Sequence, residues 1–98
     1  MASGVLLMNT LFLLMAQYNG LAIIPLNRVC ADYFSHLTVE QFQRKVLAGQ
    51  IQIPITRIES SQKAARGIHL ADLAAYLDKQ REVALKDHER LNRARPAA

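Results

Sequence analysis

The side chains best suited to chemistry in this sequence are long polar donors gathered in two short stretches. The first stretch, "TVEQFQRKVLA" (residues 38–48), contains four such donors, namely Gln41, Gln43, Arg44 and Lys45. The second stretch, "RIESSQKAARG" (residues 57–67), places three cations among small residues. Arginine can bridge O6 and N7 of guanine, and glutamine can bridge N6 and N7 of adenine. These residue types favour binding of a nucleic acid.

We predict that the second stretch is the tip of a β-hairpin that contacts phosphates. Its candidate donors are Arg57, Ser60, Ser61, Gln62, Lys63 and Arg66, while Ala64, Ala65 and Gly67 keep the tip narrow. Phosphate contacts set affinity and register, whereas base contacts specify sequence. The first stretch is therefore the predicted base reader. Two plainer interpretations stay open at this point: a polar solvent loop for residues 57–67 and an ordinary solvated helix face for residues 38–48.

Catalytic and metal-binding patterns are absent from the sequence. The three histidines have no ligand-like spacing to one another or to Cys30. As the single cysteine, Cys30 can form no intramolecular disulfide, and its place on an apolar face predicts a buried, inert thiol. No dinucleotide-binding fingerprint or phosphate-binding loop occurs. We therefore expect no enzyme activity, no metal or other cofactor, and no small-molecule ligand.

Composition and charge place the chain among small globular proteins. It has 98 residues, 51% of them hydrophobic, a formal charge of +4 and a pI of about 9.6. No charge precedes Arg28, yet the start has no cationic n-region, and Asn9, Thr10 and Gln17 interrupt its apolar runs. We expect neither a signal peptide nor a membrane span, and a cytoplasmic location at the bacterial nucleoid. Met8 is a second candidate, besides Met1, for the natural first residue.

The segment "NTLFLLMAQYNG" (residues 9–20) admits a helix or a hairpin turning at Asn-Gly. Its leucines, methionine and alanine are helix formers, so we prefer a helix over residues 11–18, capped by Thr10 and closed by Gly20 at C′. "LAIIPL" then predicts a short extended segment, because the residue before a proline avoids helical backbone.

Two short amphipathic helices follow. Apolar residues from Leu26 to Leu37 recur at i, i+3, i+4 and i+7 and predict one helix of about 8 or 9 residues that begins at Leu26. Thr38 and Gln41 match a capping box for the next helix, and Gly49 is placed to end it. The predicted buried stripe of that helix consists of Val39, Phe42, Val46 and Leu47. This pattern is a helix-turn-helix unit.

A period-two stretch, "QIQIPITRI" (residues 50–58), predicts a strand that returns at "GIHL" (residues 67–70), after which a long helix begins near Leu70. Past Leu77 this helix becomes charged, which predicts a solvated extension or a pairing surface for a second copy. The expected fold is mainly α with a small β-hairpin, in an excisionase-like winged helix-turn-helix arrangement. We divide the chain into a disordered extension (1–8), a DNA-binding domain (9–82) and a charged helical extension with a tail (83–98).

Several longer segments resemble a known family. The motifs FLLMAQY, IPL followed by YFSHLT, SQKAARG followed by Ile-His, and LAAYLD are similar to those of the pyocin activator protein PrtN family, between about residues 9 and 82. This resemblance implies a transcriptional activator from a phage-derived bacteriocin locus. It further implies binding to promoter elements of pyocin genes and expression after DNA damage.

The expected partners are double-stranded promoter DNA, RNA polymerase as a second candidate, and another copy of the chain, with no membrane. Self-association is expected because one small reader contacts few base pairs. The uncharged N-terminal segment and the Leu70–Leu91 stretch are the two candidate interfaces. Two other functions stay open: an excisionase-like factor that bends DNA, and an adaptor that binds only proteins.

Overall fold

The computed structural model describes residues 9–61 and 63–95, which form four helices and three short strands. In chain order these are α1 (Thr10–Gln17), β1 (Ile23–Pro25), α2 (Leu26–Tyr33), α3 (Val39–Leu47), β2 (Thr56–Arg57), β3 (Arg66–His69) and α4 (Leu70–Ala94). The fold is therefore mainly α with a small antiparallel sheet, and its element order is compatible with a winged helix-turn-helix. The predicted disordered extension (1–8) and Gln62 lie outside the described residues.

Helix α1 confirms the preference for a helix, but its two ends differ from the prediction. Asn9 is the N-cap, because its side chain accepts a hydrogen bond from the Phe12 amide at 2.7 Å. Thr10 is instead the first helical residue, and its hydroxyl donates to Asp78 on α4. At the other end Asn19 occupies C′ with φ of 53°, and Gly20 follows it at φ of 73°. Asparagine can take the left-handed C′ position, so the closing residue is one earlier than predicted.

Tyr18, which directly follows α1, ties this segment to α2. It is buried, and its hydroxyl donates to Asp32 at 2.5 Å. The Arg28 guanidinium lies 4.8 Å from the centre of the Tyr18 ring, a cation–π distance. Burial first, and then the hydrogen bond to Asp32, raise the pKa of the Tyr18 phenol well above its usual value.

The sheet has three strands in the order β1-β3-β2 and not the two of a simple hairpin. β1 joins it because Ile24 pairs with Ile68 of β3, a partner that the extended segment alone did not indicate. The strand predicted over residues 50–58 was wrong in extent, since only Thr56–Arg57 forms a ladder. Ile51 and Ile53 are nevertheless buried on either side of exposed Gln52, as the period-two pattern predicted. Pro54 has no amide hydrogen to donate, which accounts for the shortened strand.

Gly67 lies in the middle strand and is buried, so its assignment to the narrow tip was wrong. It pairs with Pro25 of β1 on one side and with Thr56 of β2 on the other. A Cβ atom here would lie 2.5 Å from the Ile24 carbonyl oxygen, far inside a normal contact. Glycine is therefore required at this position, because β1 approaches β3 too closely for a side chain.

Both short helices that were predicted after residue 25, α2 and α3, are present. Thr38 caps α3 with both bonds of the capping box, 3.1 Å from the Gln41 amide to its hydroxyl and 3.0 Å from its own amide to the Gln41 side chain. Gly49 follows α3 with φ of 77°, in the left-handed region that ends helices. The Phe34 and Phe42 rings, 4.9 Å apart, hold α2 against α3.

Leu47 departs from the predicted buried stripe of α3, because 85% of its side chain is exposed. Each helical residue turns by about 100°, so Leu47 lies a quarter-turn beyond Val46, past the edge of the buried face. Its apolar character alone had placed it in the stripe.

One hydrophobic core connects the helices and the sheet. Its buried members are Leu14, Tyr18, Ile24, Leu26, Val29, Cys30, Phe34, Phe42, Ile51, Ile53, Ile68, Leu70, Leu73 and Ala74. The predicted burial of Cys30 is thus confirmed, and burial raises the pKa of its thiol, which keeps it in the less reactive protonated form.

Helix α4 begins at Leu70 as predicted, with the His69 side chain accepting the Ala71 amide at 3.0 Å. Only its first two turns are buried, and from Asp78 to Ala94 every residue is exposed except half-buried Asp87. This projecting half raises the radius of gyration to 16.5 Å, compared with about 13 Å for a compact domain of this length.

Candidate nucleic-acid interface

Helix α3 presents its longest cation directly to solvent. Phe42 is fully buried, and Arg44, two residues later, points to nearly the opposite side of the helix. Within residues 9–61 and 63–95 the Arg44 guanidinium has no hydrogen bond or ion pair. Its five N–H donors are therefore available to an external acceptor.

A side-chain hydrogen bond joins α3 to the hairpin. Arg66 at the start of β3 donates from Nη1 to Oε1 of Gln43 at 2.9 Å, across 23 residues of sequence. Both side chains are half-buried. Together with Val46, Leu47, Ile55 and Arg57 they line a groove between the helix and the hairpin. Arg66 and Arg57 thus lie on the same side of the molecule as α3.

The groove carries two cations placed directly opposite each other. Arg57 of β2 pairs with Arg66 of β3 in the antiparallel register, so their side chains leave the same face of the sheet. Like charges at such a position repel and are destabilising.

The hairpin tip is a turn closed by its own hydrogen bonds. The Lys63 amide donates to Oγ of Ser61 at 3.1 Å, and the Ala64 amide donates to the Ser61 carbonyl at 3.1 Å. Ser60, Ser61 and Lys63 are exposed. The ammonium of Lys63 has no partner among the described residues. The sixth predicted tip donor, Gln62, lies outside them.

The other three candidate base readers are already engaged within the protein. The Gln41 side-chain oxygen accepts in the capping box, the Gln43 oxygen accepts from Arg66, and Lys45 donates to Gln50 at 3.3 Å. Bidentate reading of adenine uses the amide oxygen and nitrogen together, and in both glutamines the oxygen already accepts one of the two hydrogen bonds it can take. The geometry therefore favours Arg44 most among the four.

Two residues on the exposed face of α3, Glu40 and Leu47, were not among the predicted site residues. Glu40 lies four residues before Arg44 in the first turn, and it is the one acid in α3. Leu47 lies one turn after Gln43 and Arg44 at the rim of the groove. The signal for both was their helical phase, since i, i+3, i+4 and i+7 share a stripe.

Other kinds of site find no support in the described part of the chain. Residues 9–61 and 63–95 contain no cluster of three or more histidine, cysteine or carboxylate side chains that could hold a metal ion. In the same residues no helix combines the length and the hydropathy needed to cross a membrane.

A comparison with protein families finds a match for most of the chain. The model of a family described as pyocin activator protein PrtN matches residues 10–84. These residues cover every element from α1 to β3 and the first part of α4. Neither a curated protein nor a solved structure matches the chain.

Proposed function

The chain belongs to the pyocin activator protein PrtN family, and from this premise we propose that it activates pyocin genes by binding promoter DNA through α3 and the β2–β3 hairpin. This is a regulatory family and not a family of enzymes. In this proposal α3 enters the major groove and the hairpin lies along the adjacent phosphates. RNA polymerase is the proposed second partner. Expression after DNA damage is what the family resemblance implies.

The observation that carries the proposal is the hydrogen bond between Gln43 and Arg66. It supports one continuous surface, because a residue of the candidate reading helix touches a residue of the candidate phosphate-binding hairpin. Across α3 and residues 57–67 taken together, the cations Arg44, Lys45, Arg57, Lys63 and Arg66 outnumber the acids, which are Glu40 and Glu59. An excess of positive charge on one side is the electrostatic footprint of a DNA-binding protein.

Within this surface we assign different tasks to the candidate residues. Arg44 reads a base, with Gln41, Gln43 and Lys45 beside it. Arg57, Ser60, Ser61, Gln62, Lys63 and Arg66 bind phosphates. The first-turn amides of α3 also face the DNA, and a helix N-terminus attracts phosphate.

The test is a binding titration on a pyocin promoter fragment and on random duplex, at several salt concentrations. Arg44→Ala should lose about 1–3 kcal/mol of binding free energy on the promoter and relax preference at one base position, because a bidentate base contact is removed. Lys63→Ala should weaken binding to promoter and random DNA alike and reduce the salt slope by about one, because one phosphate contact is lost. Lys86→Ala, an exposed cation on the projecting half of α4, is the matched control and should bind normally.

Other outcomes decide against the proposal. Salt-independent affinity, or equal and negligible effects of Arg44→Ala and Lys63→Ala, would contradict DNA binding by this surface and favour a protein-binding adaptor. Strong bending of the fragment with no activation of a promoter reporter would favour an architectural factor. A transcript level that is unchanged by a DNA-damaging agent would remove only the proposed induction.

We also propose that the active form contains two copies, joined through α1. Among its side chains only Leu14 is buried, while Leu11, Phe12, Leu13 and Met15 are 40–55% exposed. The helix carries no charge, so two copies can meet across a twofold axis without repulsion. An exposed apolar surface of this kind typically marks an interface.

A further inference from the structure

We infer that Leu47 recognises the 5-methyl group of a thymine in the major groove, which makes it a specificity-determining residue of the DNA-binding surface. This inference rests on the proposed DNA-binding function. It begins from the position of the side chain, since 85% exposure is the highest among the large apolar residues described.

Helical phase places Leu47 with the candidate base readers. It follows Gln43 by four residues and Arg44 by three, so the three side chains lie on one stripe of α3. A helix lying in the major groove turns such a stripe toward the base edges. Leu47 would then meet bases next to those reached by Arg44.

The surroundings of Leu47 favour DNA as its partner. It shares the rim of its groove with the guanidinium-bearing residues Arg57 and Arg66, which face the same side of the sheet. A protein partner for an exposed leucine would ordinarily offer an apolar surface, whereas two adjacent arginines attract a polyanion. Within a polyanion the apolar group that the major groove presents is the thymine methyl.

The chemistry of the bases also indicates which base Leu47 would distinguish from the others. Of the four bases, thymine alone carries a methyl group in the major groove, and aliphatic side chains contact it without a hydrogen bond. Leu47 therefore adds a preference that Arg44, a donor suited to guanine, does not supply.

The experiment is a double-substitution cycle between protein and DNA. Wild type and Leu47→Ala are titrated against the same promoter fragment prepared with thymine or with deoxyuridine, which lacks only the methyl group. We expect wild type to lose about fourfold in affinity on the uracil fragment, as for one methyl group returned to water. Leu47→Ala should lose a similar amount on the thymine fragment and be insensitive to uracil, because both changes remove one contact.

Controls separate this contact from general effects. Leu47→Met keeps an apolar side chain and should retain the sensitivity to uracil. Leu91→Ala removes another exposed leucine, on the projecting half of α4, and should leave the cycle unchanged. Leu47→Ala should unfold at the wild-type temperature, since a side chain this exposed packs against little.

Failure of the inference is distinguishable from failure of the proposed function. Wild type could bind the promoter with the expected salt dependence while the affinity lost through Leu47→Ala and the affinity lost on the uracil fragment simply add. Leu47 then does not read a methyl group. If Leu47→Ala binds normally and fails only to activate a reporter, Leu47 contacts the transcription machinery, which also overturns the inference. If wild type shows no affinity for DNA, both the function and the inference fall.

Discussion

At the scale of single residues, Tyr18 connects stability to pH. Its buried hydroxyl donates to Asp32, and burial together with that bond raises the phenol's pKa. The protonated form is therefore favoured in the folded state. The stability that the protonated Tyr18 phenol contributes is fully present below about pH 10, the pKa of tyrosine in the unfolded chain. It is lost as the pH rises above that value.

We expect Tyr18→Phe to lower the free energy of unfolding by about 1 kcal/mol at neutral pH, which is the net contribution of one hydrogen bond. Between about pH 10 and 11.5 the free energy of unfolding of the variant should fall less than that of wild type, because position 18 then has no phenol to ionise. Urea unfolding at several pH values measures both effects. Tyr33→Phe, which removes an exposed hydrogen bond to Gln17, is the matched control. An identical alkaline decline in wild type and Tyr18→Phe would contradict the assignment.

Residue spacing predicted some contacts of the candidate site and missed others for a physical reason. Thr38 and Gln41 are three residues apart, so local helix geometry alone specified their capping box. The bond between Gln43 and Arg66 crosses 23 residues and depends on how the sheet packs on α3, which no local pattern encodes. For the same reason the exposure of Arg44 was predictable and the engagement of Gln43 was not.

At the scale of elements, the sheet depends on the close approach of β1 to β3 at Gly67. A Cβ at this position would collide with the backbone of Ile24, which cannot rotate away as a side chain would. Gly67→Ala should therefore cost about 1–3 kcal/mol of stability, as for other overpacked sites.

Gly49 provides the matched comparison for this test. It has open space around it but a φ of 77°, so Gly49→Ala should cost only about 1 kcal/mol of backbone strain. Denaturant unfolding of both variants measures the difference. A Gly67→Ala protein as stable as wild type would show that β1 can move away from β3 at no cost.

The helices were easier to predict than the strands. Caps and apolar periodicity defined the bounds of α2 and α3 to within about a residue, since both signals are local. The strands needed tertiary information. Pro54 ended the ladder that alternating isoleucines suggested, while β1 became a strand because Ile24 met a distant partner.

At the scale of the whole molecule, the uncovered surface of α1 predicts the oligomeric state. We expect wild type to have the mass of a dimer in light scattering at micromolar concentration. Phe12→Ser should shift the mass toward a monomer, because Phe12 is the most exposed of the α1 side chains at 55%.

The matched control for the dimer is Leu91→Ser, at an equally exposed position near the end of α4. It should leave the mass unchanged. The opposite pattern, with dissociation only in Leu91→Ser, would assign the interface to α4, and a monomeric wild type would exclude both. Circular dichroism confirms that each variant is folded.

The overall outline was predictable from the sequence, because one core-forming face per helix and a long charged last helix are visible in the residue pattern. Which side of α1 is buried was not, since an almost uniformly apolar helix shows no periodicity that marks one face. Its exposure follows from the packing of Leu14 and Tyr18 alone against the rest of the core.

The link between Gln43 and Arg66 also has an evolutionary consequence. One glutamine both borders the reading face of α3 and holds the arginine at the base of the hairpin. A mutation that gave position 43 a new base preference would at the same time release Arg66. Diverging relatives with different promoters should therefore change these two positions together, so that covariation between them would trace how new targets were acquired.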